Sequence, residues 1–286
     1  MSNTMNNTMS NSMSDNIIAC ESEHLVFTVT GADAGKYLHS QLSNDIASLP
    51  VDGSRYSFVL EPMGKVIALV RVTRTEEETF ILDTENVADL GEQLLARLNR
   101  FKIRVKVDIA VSTQKYLCLR SRDGSAIEQA GFAVSQWGSG AIVDALLTTI
   151  DASVVSQFAH VSPEEFDALR IRSGWPAMGR EIIAGETLPA AIGVVSLAVS
   201  FTKGCYPGQE LVERMDSRGS TAPKNLRLLT GAIVETAKSG DAVIVNGETV
   251  GEFTSVAPDC ALAYVGRAVE LGVVVDAASS SRRRYD

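Results

Sequence analysis

The chain has 286 residues, of which 45% are hydrophobic and 21% charged, with a formal net charge of −9. That composition belongs to a folded globular protein with one large core or several smaller ones. The acidity excludes generic binding to nucleic acid or to an anionic membrane face, both of which need a basic footprint. Residues 1–16 are Met, Ser, Asn and Thr with one Asp, and read as a disordered leader without the apolar run of a signal peptide or the arginines of a transit peptide. No apolar stretch approaches the roughly 18 residues that span a bilayer, so a cytoplasmic location is the default expectation.

In chain order, His24 to Thr30 reads as a strand, and Ala34, Tyr37, Leu38 and Leu42 then recur at helical spacing up to Ser43-Asn44-Asp45. Strand-like runs follow at Arg55–Leu60, Val66–Thr73 and Thr79–Leu82, punctuated by Pro62 and Gly64. A helix places Val87, Leu90, Leu94 and Leu98 on one side. Phe101, Ile103, Val105 and Val107 alternate with Lys102, Arg104 and Lys106, which predicts a half-buried strand with its cations in solvent. Further strands are expected at Lys115–Arg120 and near Ala141–Leu147. Ser162-Pro163-Glu164-Glu165 is a helix start: a capping Ser162, Pro163 at the first helical position, and Glu165 at the capping-box position. That helix turns Phe166, Leu169 and Ile171 inward and ends near Gly174. Strands at Leu226–Leu229, Ala242–Val245 and Ala261–Arg267, with an Asn246-Gly247 hairpin turn, form a small all-β module. The tail over 279–286 is polar, basic and expected to be disordered. Mixed strands and helices followed by a β module make an α+β protein.

The four cysteines, Cys20, Cys118, Cys205 and Cys260, contain no C-x-x-C pair, and the histidines His24, His39 and His160 are not at metal-ligand spacing. No bound metal and no disulfide framework is expected, and each histidine reads as a surface or satisfied residue. The chemistry concentrates in Lys203-Gly204-Cys205-Tyr206-Pro207-Gly208-Gln209-Glu210, a glycine- and proline-shaped loop that presents a thiol beside a cation and a carboxylate. A thiol near Lys203, and within reach of Arg214, would sit in a positive environment that favours the thiolate. The alternative is a small buried hydrophobe in a tight turn. Nothing in the sequence selects a histidine as base for Cys205.

This octapeptide resembles the K-G-C-Y-x-G-Q-E motif of the YgfZ-type folate-binding proteins, a family linked to iron–sulfur cluster assembly and related to the glycine-cleavage T-protein, an aminomethyltransferase. Other segments match in order. Tyr37 to Asp45 resembles the family's Q-L-T-N-D helix end, Glu61 to Val66 its P-x-G-K turn, Leu169 to Pro176 its L-R-I-E-A-G-x-P segment, and Val250 to Ser255 the V-G-x-V-T-S of its last domain. The resemblance implies three domains in a ring around a channel for tetrahydrofolate: two mixed α/β-sheet domains, one discontinuous over 17–53 with 111–225 and one over 54–110, and a C-terminal β-barrel over 226–278. It implies Cys205 as the functional thiol near that channel, and Lys203, Gly204, Tyr206, Asn44, Asp45 and Arg172 as residues around the folate. Lys203 would neutralise a folate carboxylate and Tyr206 offer an aromatic face or core packing. Gly208, Gln209, Glu210 and Arg214 would support the loop.

Two departures bear on chemistry. The T-protein carries an acidic pair in the strand after its glycine turn, where this chain has Ala68-Leu69; an alanine cannot accept or donate a proton, so glycine-cleavage transfer is not expected. Arg172 stands where the related proteins use a glutamate to receive the pterin's N–H groups, and arginine only donates; either folate binds in another manner, another acceptor such as Asp45 or Glu210 substitutes, or folate affinity has been lost. The implied function is a tetrahydrofolate-binding accessory protein that supports assembly or repair of iron–sulfur enzymes, with folate and iron–sulfur client or assembly proteins as partners. The alternatives are a folate-dependent one-carbon transferase or demethylase other than glycine cleavage, and a non-catalytic interaction protein that has lost the ligand.

Overall fold

One long strand organises the larger part of the molecule. In the computed structural model, which describes residues 17–121, 135–137, 142–147, 156, 158–217 and 222–276, β1 runs from Ile18 to Thr30. It pairs antiparallel with β5 (Asp108–Ser121) along one edge, and along the other with β4 (Thr79–Glu85) antiparallel and β8 (Ala159–His160) parallel. Adding β2 (Ser54–Leu60), β3 (Val66–Glu76), β6 (Ser135–Trp137) and β7 (Ile142–Leu147) gives an eight-stranded sheet of order β2-β3-β4-β1-β5-β7-β6 with β8 beside β1. Segments on both sides of positions 53 and 110 thus contribute to a single sheet. The expected leader over 1–16 and tail over 279–286 lie outside the described residues.

Alternate residues of a strand face opposite sides, and the two faces of this sheet differ. One is apolar: Leu25, Phe27 and Val29 of β1 lie in the same core as Val70, Val72, Phe80 and Leu82. Helices α1 (Ala34–Gln41) and α2 (Leu90–Arg100) cover it with Tyr37, Leu38, Leu90, Leu94 and Leu98, all buried. Each large apolar side chain buried in this way contributes about 1.5–3 kcal/mol. The helical spacing of these residues was visible in the sequence, although Val87 precedes the helix instead of joining it.

The alternating stretch after α2 is not the strand that its pattern predicts. Phe101 to Val107 is irregular, Arg104 has φ of 56°, and Ile103 is 69% exposed. Arg97 and Arg100 stack on the Phe101 ring at 4.5 and 5.7 Å, which folds that residue back on the helix. Lys106 is held by the turn before α1: its N–H donates to Asp33 Oδ2 at 2.7 Å and its carbonyl accepts from Asp33 N at 3.3 Å. A left-handed residue and a turn partner replace the neighbour strand that alternation alone presupposes.

Helix α3 (Pro163–Arg172) starts as its sequence requires, with Ser162 Oγ accepting from Glu165 N at 3.2 Å and Pro163 in the first turn. The short α4 (Val195–Ala198) and then α5 (Gln209–Ser217) follow. The C-terminal part is a five-stranded antiparallel sheet of β9 (Lys224–Thr230), β10 (Ala242–Val245), β11 (Glu248–Val256), β12 (Cys260–Gly266) and β13 (Val273–Val274), in the order β10-β11-β12-β9-β13. Asn246 and Gly247 take φ of 52° and 83° between β10 and β11, the pair of positive values that a tight two-residue hairpin demands.

Candidate functional site

The second face of the large sheet is polar. Cross-strand register places Tyr56, Arg71, Asp83 and Val26 in one row over β2, β3, β4 and β1. Leu69, Glu85 and His24 follow two positions along the same face, then Ser22 and Cys20 further along β1, with Cys118 and Arg120 on β5. Apart from Val26 they line a cavity of about 400 Å³. Its roof is Pro163, Phe166, Asp167 and Arg170 of α3 with Trp175, Ala177, Met178 and Arg180 of the following segment. The size and the mixture of aromatic walls with a few convergent polar groups are those of a small-molecule site.

Charged groups in this face are held in pairs. Asp83 is buried, and its two carboxylate oxygens take Arg71 Nε and His24 Nδ1, each at 3.2 Å. Burial opposes the carboxylate's charge, but Arg71 and His24 more than offset it and hold its pKa below the ordinary aspartate range. His24 packs edge-on to the Tyr116 ring with centroids 5.0 Å apart, and its Nε2 lies 3.9 Å from Cys118 Sγ. In the roof, Arg170 donates to Asp167, to the Trp175 carbonyl, to Glu181 and to Ser255 Oγ at 2.6, 2.6, 3.0 and 2.8 Å. Glu181, fully buried, also accepts from Ala177 N and Ser255 Oγ at 3.0 and 2.7 Å. Burial works against the Arg170 cation, yet Glu181 and Asp167 raise its pKa above the usual value. Arg170 and Ser255 belong to two of the segments that resemble the family motifs, and their meeting at Glu181 ties the roof to β11.

The cysteine loop lies elsewhere. Cys205 is exposed and Gly204 has open space where a side chain would stand, while Tyr206 is buried in the main core. Lys203 donates to the carbonyls of His39 and Leu42 at 2.5 and 2.7 Å, across the C-terminal end of α1, and stands 4.7 Å over the Tyr206 ring. A cation is favoured at a helix C-terminus. Burial nevertheless pulls the Lys203 pKa down to about 8, against the opposing pull of Asp45 and Cys205. Burial pushes the Tyr206 hydroxyl up to about 12. Gln209 Oε1 accepts from Tyr206 N at 3.3 Å and its amide donates to Glu213 at 2.5 Å, while Glu210 is exposed in the first turn of α5. Arg214 is exposed on α5, with no hydrogen bond to Cys205 among the described contacts. Gly208, at φ of 86°, presses on the other glycine turn: a Cβ there would stand 2.6 Å from the Glu61 carbonyl and 3.0 Å from Gly64 Cα.

Asn44 is buried, donating to the carbonyls of Tyr56 and Leu197, both at 2.8 Å, and accepting from Asp45 N at 2.8 Å. Asp45 pairs with His39 Nδ1 at 3.1 Å, and its pKa is lowered first by its hydrogen bond with Ser48. Arg172 turns away to the second sheet's β11–β12 turn, where Asp259 receives its Nε at 3.0 Å and a terminal nitrogen at 2.8 Å. None of Asn44, Asp45, Arg172, Lys203, Cys205 and Glu210 lines the cavity. Leu69, where the T-protein has its acidic pair, does line it, and Ala68 is fully buried on the opposite face.

The cavity residues were missed in the sequence because they form no motif. Their signal was a charge inside an apolar strand run: Arg71 within Val66–Val72 and Asp83 after Phe80-Ile81-Leu82. His24, expected to be a surface or satisfied residue, is satisfied by Asp83 inside this cavity.

Comparison with known proteins adds the family context. The chain is 25% identical over 239 residues to the tRNA-modifying protein YgfZ of Escherichia coli O157:H7, covering 75% of this chain and 72% of that protein. It is 26% identical over 237 residues to the tRNA-modifying protein YgfZ of Photobacterium profundum, with 76% and 71% covered. The chain is a relative of the YgfZ proteins. No protein-family model matches it. The crystal structure of glycine cleavage system aminomethyltransferase T from Bartonella henselae superposes with a TM-score of 0.71 at 19% identity, over 91% of this chain and 81% of that one. The YgfZ-like chain therefore has the mixed α/β fold of the T-protein. Among the described residues no helix is long and apolar enough to cross a membrane, and no group of histidine, cysteine and carboxylate residues is arranged to hold a metal ion.

Proposed function

We propose that this protein is a cytoplasmic, tetrahydrofolate-binding accessory protein of the YgfZ type, which supports tRNA modification by assisting the assembly or repair of iron–sulfur enzymes. The observation that carries the reading is the 400 Å³ cavity on the polar sheet face in a chain of this kinship. Its residues fit a reduced pterin with an anionic tail. Tyr56 and Trp175, with ring centroids 4.7 Å apart, offer aromatic surface. Glu85 supplies an acceptor carboxylate for the pterin's N–H groups in place of the motif glutamate, and Arg180 supplies a cation for the tail. With Arg172 bound to Asp259 outside the cavity, its substitution no longer argues for a lost ligand. Leu69 in the wall argues against one-carbon transfer of the glycine-cleavage kind, since no proton-transferring carboxylate stands at that point.

In this reading the chain divides as the resemblance implies, into a discontinuous first domain over 17–53 with 111–225, a second over 54–110 and a closing barrel over 226–278, arranged in a ring, with the first two domains sharing the eight-stranded sheet. Cys205 is the working thiol towards client proteins, since it is exposed on a loop braced from behind by Lys203, Gly208 and Gln209. Expression of the chain in a bacterium lacking its own YgfZ protein tests the proposal. Wild type is expected to restore iron–sulfur-dependent tRNA modification and Cys205→Ala to restore none; rescue by Cys205→Ala would remove the thiol's role, and no rescue by wild type would remove the function.

A further inference from the structure

The cavity contains two thiols that the folate reading does not use. Cys20 on β1 and Cys118 on β5 are directly opposite each other in the antiparallel register, and both line the cavity. Directly opposite residues share one face of a sheet with Cα atoms about 4.5–5.5 Å apart, within the range of about 4.4–6.8 Å that a disulfide spans. Cys118 also has a base. Its Sγ is 3.9 Å from Nε2 of His24, whose Nδ1 is tied to Asp83 at 3.2 Å, and Asp83 is fixed in turn by Arg71 at 3.2 Å. With Nδ1 donating to Asp83, Nε2 is the acceptor that faces the thiol. A thiol, an imidazole and an orienting carboxylate in that order make an activated nucleophile.

We propose that Cys118 and Cys20 form a redox-active dithiol inside the cavity, with His24 as the base of Cys118, and that its substrate is a small disulfide able to enter a space of this size. Cys118 gives its proton to His24 Nε2, and the thiolate attacks one sulfur of the disulfide R–S–S–R. The S–S bond of the small molecule breaks, and the departing sulfur takes the proton from His24 and leaves as R–SH. Cys20 then attacks Cys118 Sγ, closing the Cys20–Cys118 bond as the mixed-disulfide bond breaks, and its proton passes to the departing sulfur, which leaves as the second R–SH. The two protein thiols are oxidised to one disulfide, and the small disulfide is reduced to two thiols. The order of attack follows from the surroundings. Burial pushes the Cys20 thiol up, only partly opposed by Arg120 and reinforced by Glu21 and Glu164, so the thiol beside the imidazole acts first. Of the other two cysteines, Cys205 is exposed on its loop and Cys260 is buried in the second sheet's core.

The test uses the full chain incubated with hydroxyethyl disulfide and mapped by non-reducing peptide mass spectrometry. The expected product is a peptide pair linked through Cys20 and Cys118. Cys20→Ser should stop at a hydroxyethylthio mixed disulfide on Cys118, and His24→Gln should slow formation of the link roughly a hundredfold. Wild type that reacts at Cys205 alone, with Cys20 and Cys118 still reduced, would overturn the proposal. So would a Cys20→Ser protein without an adduct on Cys118, or a folded His24→Gln protein, judged by circular dichroism, that forms the link at the wild-type rate.

Discussion

The cysteine loop and the cavity face are opposites in how they advertise chemistry. The loop is contiguous, rich in glycine and easily matched to a family motif, yet its polar groups serve largely to hold the backbone: Lys203 closes a helix end, Gln209 braces Tyr206, and Gly208 fits against Glu61. The cavity face is drawn from strands far apart in sequence and matches no motif, yet it gathers Arg71, Asp83, His24, Cys20 and Cys118 around one space. A loop motif encodes a shape that must be made locally, whereas a sheet face is assembled by register, so its chemistry is dispersed through strands that otherwise read as core.

Perturbing each region separates them. The largest effect is expected at the roof, where Glu181→Ala would leave the buried Arg170 without its main counter-charge and cost about 3–5 kcal/mol, read as a fall in the urea midpoint. Next is Asp83→Asn, at about 3 kcal/mol, because it removes the carboxylate that Arg71 and His24 share. The paired carboxylates also set an acid dependence. The folded pKa values of Asp83 and Asp167 lie below their unfolded ones. Their contribution is therefore complete above about pH 5 and is lost as pH falls through the folded values. Denaturation midpoints between neutral and acid pH should fall more steeply in wild type than in Asp83→Asn.

Within the loop the effects are smaller and uneven. Gly208→Ala should cost about 2 kcal/mol, since φ of 86° and a backbone carbonyl 2.6 Å from the new methyl both oppose it. Gly204→Ala, with open space around it, should stay within about 0.5 kcal/mol of wild type by the same denaturation assay. The smallest effect is a reactivity. With its pKa near 8, Lys203 should be acylated ahead of the surface lysines at about pH 8 in a peptide-mapping time course; uniform labelling of all lysines would show that its ammonium is not desolvated.

Most elements of the fold were legible in the sequence because local rules govern them: Ser162 and Pro163 start a helix, Asn246-Gly247 turns a hairpin, and Leu90, Leu94 and Leu98 keep a helical beat. Phe101 to Val107 was misread because alternation describes a strand only if a neighbour pairs with it, and here the Asp33 turn took that place. Arg172 could not be placed without Asp259, which lies 87 residues further along. Arg71, Asp83 and His24 were visible as residues and invisible as a cluster, since only the β1–β4 and β3–β4 registers bring them together.

Titration calorimetry with tetrahydrofolate on wild type, Glu85→Gln and Cys205→Ala tests most directly the claim that the cavity, and not the loop, holds the ligand. The wild type should bind, Glu85→Gln should bind roughly tenfold to a hundredfold more weakly for the loss of a charge-assisted hydrogen bond, and Cys205→Ala should bind as wild type does. Binding that survives Glu85→Gln unchanged and disappears in Cys205→Ala would contradict that claim, as would a wild type that binds no tetrahydrofolate.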